Sequence, residues 1–180
     1  MMKEDKTNIR GQIETIIWEL MKSKTDINIV LKDSDNIDSI DYPRIEFEVI
    51  EINLNQDNMS ISSEYDMEDL NIVDNYNRTC RYMIDFVLIH TPENEANIDE
   101  LIKYLTNYWK MDRYFYNFDY SEYDIEDITI NQDFKPSNRN MFYLDQSIKR
   151  DGYSFTLDVD IVDKDIIPMG AYMKRGEFND

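Results

Sequence analysis

Near the start of the chain, apolar residues recur at three- and four-residue steps: Ile9, Ile13, Ile16, Ile17, Leu20 and Met21. That spacing gathers them on one face of a helix over residues 7–24, and such a face must be buried against a sheet or a partner helix. Gly11 weakens its first turn. Residues 27–31 read as a short strand, and an acidic loop follows. Tyr42-Pro43 restarts an extended backbone, because the residue before proline is pushed out of the helical region. Ile45, Phe47 and Val49 then alternate with Arg44, Glu46 and Glu48, the period of a half-buried strand. After Val49 the parity flips to Ile50, Ile52 and Leu54. Either a β-bulge near residue 50 or cover on both faces, one supplied by a neighbouring subunit, accounts for the flip.

Residues 57–77 are polar, and the pattern there gives a short strand around Ser60-Ile61-Ser62 within a long loop or excursion. Residues 78–90 form a strand in which Tyr82, Ile84, Phe86 and Leu88 alternate with Arg81, Met83, Asp85, Val87 and Ile89. The second set turns apolar toward its end, so this strand should be central and covered on both faces there. Thr91-Pro92-Glu93 is a helix start, with a capping hydroxyl, a proline whose missing N–H costs nothing, and an acid facing the helix dipole. Ile98, Leu101, Ile102, Leu105 and Trp109 continue it as one apolar stripe that packs on the sheet. The aromatic run 114–120 either extends that helix or forms a loop wedged against the core. Ile125, Ile128 and Ile130 suggest a strand, residues 141–147 another, and the alternation from Tyr153 to Ile161 a last one with one wet face. Pro168, Gly170 and Gly176 mark a C-terminal tail, mobile from about residue 166.

With no repeat, low-complexity tract or Gly/Ser linker, this string of elements predicts a single α+β domain over 1–180. Its mixed or antiparallel sheet has about 4–6 strands packed against two main helices. At 180 residues and 42 % apolar content, with 8 Phe, 13 Tyr and 2 Trp scattered along it, the chain has material for one core.

Charge narrows the partners. There are 19 Lys+Arg against 38 Asp+Glu, a formal net charge of -19. Such a field repels phosphate, and neither a conventional nucleic-acid interface nor an anionic membrane surface fits it. The excess is local. Residues 33–74 carry 13 acids against the single base Arg44, whereas 135–150 hold Lys135, Arg139, Lys149 and Arg150 against Asp145. One subunit thus presents patches of both signs. The opening Met1-Met2-Lys3-Glu4-Asp5-Lys6 lacks the apolar stretch of a secretory signal, and no run approaches the roughly 20 apolar residues of a membrane span. The protein is expected to stay in the compartment that makes it.

Candidate chemistry is sparse. Cys80 is the one cysteine, which excludes an intrachain disulfide and disfavours a cysteine zinc site. His90, the one histidine, lies ten residues further along the same strand, about 30 Å away at ~3.3 Å per residue, too far for a dyad. Asp33, Asp35, Asp38 and Asp41 come nearest to a calcium loop. The turn glycine and twelfth-position glutamate of an EF-hand are missing, and a solvated loop is the preferred reading. Asp158, Asp160, Asp163 and Asp165 form a second acidic row. No nucleotide-binding, zinc-protease or nucleophile-elbow motif occurs, and no carboxylate pair stands out for acid–base work. Neither an enzyme nor a cofactor is expected.

The order of elements resembles the neck or tail terminator proteins of tailed phages. The likeness is carried by Tyr42-Pro43-Arg44-Ile45-Glu46-Phe47, by Arg78-Thr79-Cys80-Arg81-Tyr82-Met83-Ile84-Asp85-Phe86 leading into a helix, and by Lys149-Arg150-Asp151-Gly152-Tyr153-Ser154-Phe155-Thr156-Leu157-Asp158-Val159. Residues 57–77 depart from that pattern. The resemblance implies a virion structural protein, made in the host cytoplasm, that forms a hexameric ring at the head-proximal end of a tail tube. The ring would end tube growth and dock on the neck or connector protein. DNA would pass through it without specific binding, along a wall whose carboxylates hold no phosphates. Asp33, Asp35, Asp38 and Asp41 are the candidate lumen-facing acids. Lys135, Arg139, Lys149 and Arg150 are the candidate subunit contacts, meeting an acidic patch on the next copy. Two alternatives compete: an acidic DNA mimic that occupies the groove of a DNA-binding enzyme, and another tail completion or connector component.

Overall fold

The computed structural model describes residues 8–34, 40–66, 68, 71–91, 93, 95–137 and 148–168, with the backbone alone at 53–59, 95–99 and 132–137. The predicted strand at 141–147 lies outside the described residues. Helix α1 spans Ile9–Lys22. It opens on Asn8, whose Oδ1 accepts a 2.7 Å hydrogen bond from the Gly11 amide, so one of the unpaired N–H groups of the first turn is satisfied. Its far end is closed by the Ser23 hydroxyl donating to the Leu20 carbonyl at 2.7 Å. Ile13, Ile16, Ile17, Leu20 and Met21 are buried, as the stripe requires.

Strands β1 (Asn28–Leu31), β2 (Arg44–Asp66), β3 (Asn71–His90), β4 (Ile125–Ser137) and β5 (Lys149–Pro168) make one sheet in the order β1-β2-β3-β5-β4. β1 runs parallel to β2 and every other pair is antiparallel. The architecture is therefore the α+β one expected, a mixed sheet packed against helices. On one face Ile45, Phe47, Val49, Cys80, Tyr82, Ile84, Phe86, Leu88, Phe155, Leu157 and Val159 join the α1 stripe in a single apolar cluster. Burial of each large side chain there contributes about 1.5–3 kcal/mol, so this cluster carries the fold. β3 is central, and its residues 84–90 are buried on both faces.

Against β3 the register shifts between Glu51 and Asn53, which brings Leu54 opposite Cys80, whereas Ile50, opposite Met83, lies before the shift and on the other face from Val49. Ile52 is half exposed beside it.

Three expectations are corrected. Residues 57–77 are not a loop with one short strand: β2 continues to Asp66 and β3 begins at Asn71, so the two form a long hairpin. β5 does not give way to a tail at 166. Its residues Ile166, Ile167 and Pro168 pair with Val73, Ile72 and Asn71, giving the hairpin a third strand. Residues 169–180 lie outside the described residues. The resulting three-stranded arm has almost no apolar burial beyond Ile72, and it is held by backbone ladders and polar cross-strand bonds such as Ser63 Oγ to Asp74 Oδ1 at 2.6 Å.

The third correction concerns the second helix, which is two. α2 (Glu95–Leu105) stops where the Thr106 hydroxyl turns back to the Ile102 carbonyl at 2.7 Å. α3 (Tyr108–Tyr116) starts afresh from Asn107, whose side chain accepts from the Lys110 amide at 3.2 Å. Leu101 and Leu105 reach the core, but the new axis turns Trp109 outward, and Met111 and Phe115 fill the core in its stead. The aromatic run beyond belongs partly to α3 and partly to the turn after it, where Phe118 is within 5.0–5.7 Å of the Tyr114, Tyr120 and Tyr123 rings. The Thr91-Pro92-Glu93 start is not where α2 begins, and Pro92 is outside the described residues.

Candidate assembly surface

The acidic loop and the basic span leave the sheet at opposite edges. Asp33 and Asp41 lie in the connection between β1 and β2, at the β1 edge, and both are exposed. The Asp33 carboxylate is 3.8 Å from Arg10 Nη2 at the start of α1. Asp35 and Asp38 fall outside the described residues, as does Arg139. Lys135 belongs to β4, its backbone opposite Ser154. Lys149 and Arg150 begin β5, opposite His90 and Ile89. Lys149 is exposed and Arg150 half-buried. Three strand intervals, roughly 15 Å at ~4.8 Å each, separate β1 from β5. The loop acids Asp33 and Asp41 and the bases Lys149 and Arg150 thus lie apart, although β5 itself goes on to carry Asp158, Asp160, Asp163 and Asp165.

The sheet face away from the core cluster is polar in its middle. Arg81 Nε and Nη2 donate to the two oxygens of Asp158 at 2.6 and 2.9 Å, and Asn131 Nδ2 adds a bond at 3.0 Å. These donors hold the Asp158 carboxyl below the usual carboxylate range. Thr79 Oγ1 donates to Asp160 at 2.6 Å. Of the second acidic row, Asp163 lies 3.5 Å from Arg78 Nη2. These carboxylates are engaged within the sheet.

Cys80 is 1 % exposed in the apolar cluster, and burial pushes its thiol up, away from the thiolate a nucleophile needs. His90 is equally buried at the far end of β3, with Nε2 2.8 Å from Asp151 Oδ2 and Nδ1 3.2 Å from the Thr91 carbonyl oxygen. The Asp151 contact ties the end of β3 to β5. Among the described residues no group of three His, Cys, Asp or Glu side chains is disposed to hold a metal ion, and no helix is long and apolar enough to cross a membrane. An open, polar cleft of about 890 Å³ lies between the arm and the turn before β4, lined by Ser62, Asn75, Asn77, Tyr123, Asp163 and Lys164 among others.

Sequence reasoning missed the exposed apolar surface. The five most exposed large apolar side chains among the described residues fall in two groups: Ile61, Tyr65 and Ile166 on the arm, at 61–69 %, and Trp109 and Tyr116 on α3, at 77 and 82 %. Isolated exposed apolar residues are ordinary, but grouped aromatics of this exposure mark contact surfaces. The signal for α3 was present in Thr106-Asn107, a capping pair inside the predicted helix. No protein-family model matches the chain, and no curated protein was found to match it.

Proposed function

We propose that the chain is a structural subunit that joins copies of itself head to tail into a ring of the tail-terminator kind, capping a phage-like tail tube and docking it to a neck or connector. The observation that carries this reading is the placement of two charged segments: the acidic β1–β2 connection at one edge of the sheet, and the bases Lys135, Lys149 and Arg150 where β4 ends and β5 begins. A copy that meets its neighbour edge to edge brings Lys149 and Arg150 toward the acidic β1–β2 connection. Because the two surfaces differ, the contact is heterologous, and a suitable rotation closes it into a ring. The remaining acidic surface suits a wall past which a duplex slides, since phosphates find no cations on it.

The DNA-mimic reading has less support. A mimic displays carboxylates for its target's cations, whereas Asp158 and Asp160 are already bonded to Arg81, Asn131 and Thr79. The test is mass photometry and negative-stain microscopy of the full chain, wild type and Lys149→Glu/Arg150→Glu. Rings in the wild type that weaken in the variant are the expected outcome. A wild type that stays monomeric at all concentrations, or rings indifferent to the reversal, would overturn the reading.

A further inference from the structure

On the view that copies assemble, we infer that the arm of one copy docks on the outward face of α3 of the next, apolar on apolar and acid on base. On α3 the buried side is made by Met111 and Phe115. Trp109, Arg113 and Tyr116 stand on the opposite side at i, i+4 and i+7, all exposed, with Lys110 beside them. Aromatic residues flanking an arginine are the composition of interface hot spots. Residues 101–116 hold Lys103, Lys110 and Arg113 against Asp112, a basic island on a chain of net charge -19.

The arm is its complement. Ile61 and Tyr65 lie on one face of β2, two positions on either side of Ser63, opposite Tyr76 and Ile72 of β3. Residues 60–74 carry Glu64, Asp66, Glu68, Asp69 and Asp74 and no base, and Asp74, opposite Ser63, shares the face of Ile61 and Tyr65. Spacing agrees as well: four strand residues separate Ile61 from Tyr65 by ~13 Å, and seven helical residues separate Trp109 from Tyr116 by ~10 Å. Within one chain the two surfaces do not cover each other, since Tyr65 is 69 % and Trp109 77 % exposed. A second copy of an acidic protein therefore offers the α3 face both the charge and the apolar side chains it lacks.

The contact is small. Four large side chains offer about 600–1,000 Å² at ~150–250 Å² each, below the ~1,600 Å² of a typical stable complex. It adds to the charged edge contact and does not replace it.

The test uses the full chain in two variants, arm (Ile61→Ser/Tyr65→Ser) and helix (Trp109→Ala/Arg113→Glu). All four positions are exposed or solvent-facing, and circular dichroism establishes that each variant folds. By sedimentation velocity each alone should associate about tenfold more weakly than wild type, or worse. Mixed, they should associate more strongly than either variant alone, because one intact arm and one intact helix face remain to meet while the charged edge contact is unchanged in both. Wild-type rings that respond to Lys149→Glu/Arg150→Glu but not to the arm and helix variants would overturn this contact and leave the ring reading standing. Arm-dependent association without closed rings would support the contact and sink the ring. A monomeric wild type would overturn both.

Discussion

Arg81 and Asp158 face each other across β3 and β5 and share two parallel hydrogen bonds of 2.6 and 2.9 Å. The pairing holds the Asp158 carboxyl below its ordinary value of 3.8. A carboxyl whose folded value is depressed contributes stability above the unfolded value, and that contribution is lost as pH falls through the folded one. Arg81→Ala should therefore cost about 1 kcal/mol or less at neutral pH, the range of a partly exposed pair, and the difference should vanish well below pH 3.8. Urea unfolding of both proteins across that window checks it. A deficit that stays constant with pH would assign the loss to packing of the arginine stem.

His90 and Asp151 form the corresponding pair at the buried end of β3. Asp151→Ala leaves an imidazole nitrogen, in a residue 1 % exposed, without its partner, and such a loss costs about 1–3 kcal/mol. Asp151→Asn keeps an acceptor there and should lose less. Chemical denaturation of the two variants separates the cases, and equal losses would count against the hydrogen bond as the cause.

How much of this was legible depends on whether a segment is wet on one face or on both. The α1 stripe and the Tyr82, Ile84, Phe86, Leu88 alternation each have one buried face, and periodicity reports that contrast directly. The arm has polar or exposed residues on both faces, so Ser60, Ser62, Asn75 and Asn77 look like loop although they pair in register. Its existence rests on long-range ladders that no local pattern encodes. Trp109 misled for another reason. Its i+11 position continues the Ile98 stripe only along a straight axis, and the axis ends at Asn107. The charge segregation was visible because it is compositional, but that the acidic β1–β2 connection and the bases at the start of β5 lie three strand intervals apart required the strand order.

Tyr82, Tyr114 and Tyr120 are held above their ordinary value of 10.0, chiefly because burial penalises the phenolate. Tyr120 in addition donates its hydroxyl to the Phe115 carbonyl at 3.0 Å. With the folded value raised above the unfolded one, stability is whole below pH 10.0 and declines as pH rises above it. Tyrosinate absorbance and circular dichroism should therefore change together in an alkaline transition. Tyr120→Phe should cost about 1 kcal/mol at neutral pH and make the alkaline decline shallower, since one ionisable group and one hydrogen bond are gone. Tyrosines that titrate fully while the fold persists would contradict the burial argument.

Asn107 decides how α3 presents its outward face. The helix has nine residues, too few to be stable without its packing and caps, and the Asn107 side chain holds the Lys110 amide in its first turn. Asn107→Ala should cost about 0.5–2 kcal/mol, while Asn107→Asp should be neutral or stabilising because a carboxylate also complements the helix N-terminus. Frayed residues 108–112 would exchange their amide hydrogens faster. Trp109 would no longer be held over Tyr108, where the rings now meet edge to face at 5.4 Å. If the outward face of α3 docks an arm, Asn107→Ala should weaken self-association through disorder of the platform, and the Asp variant should restore it. Trp109→Ala should weaken it with hydrogen exchange unchanged. Hydrogen exchange read beside sedimentation separates the two effects, and association that ignores both substitutions would show that α3 has no part in assembly.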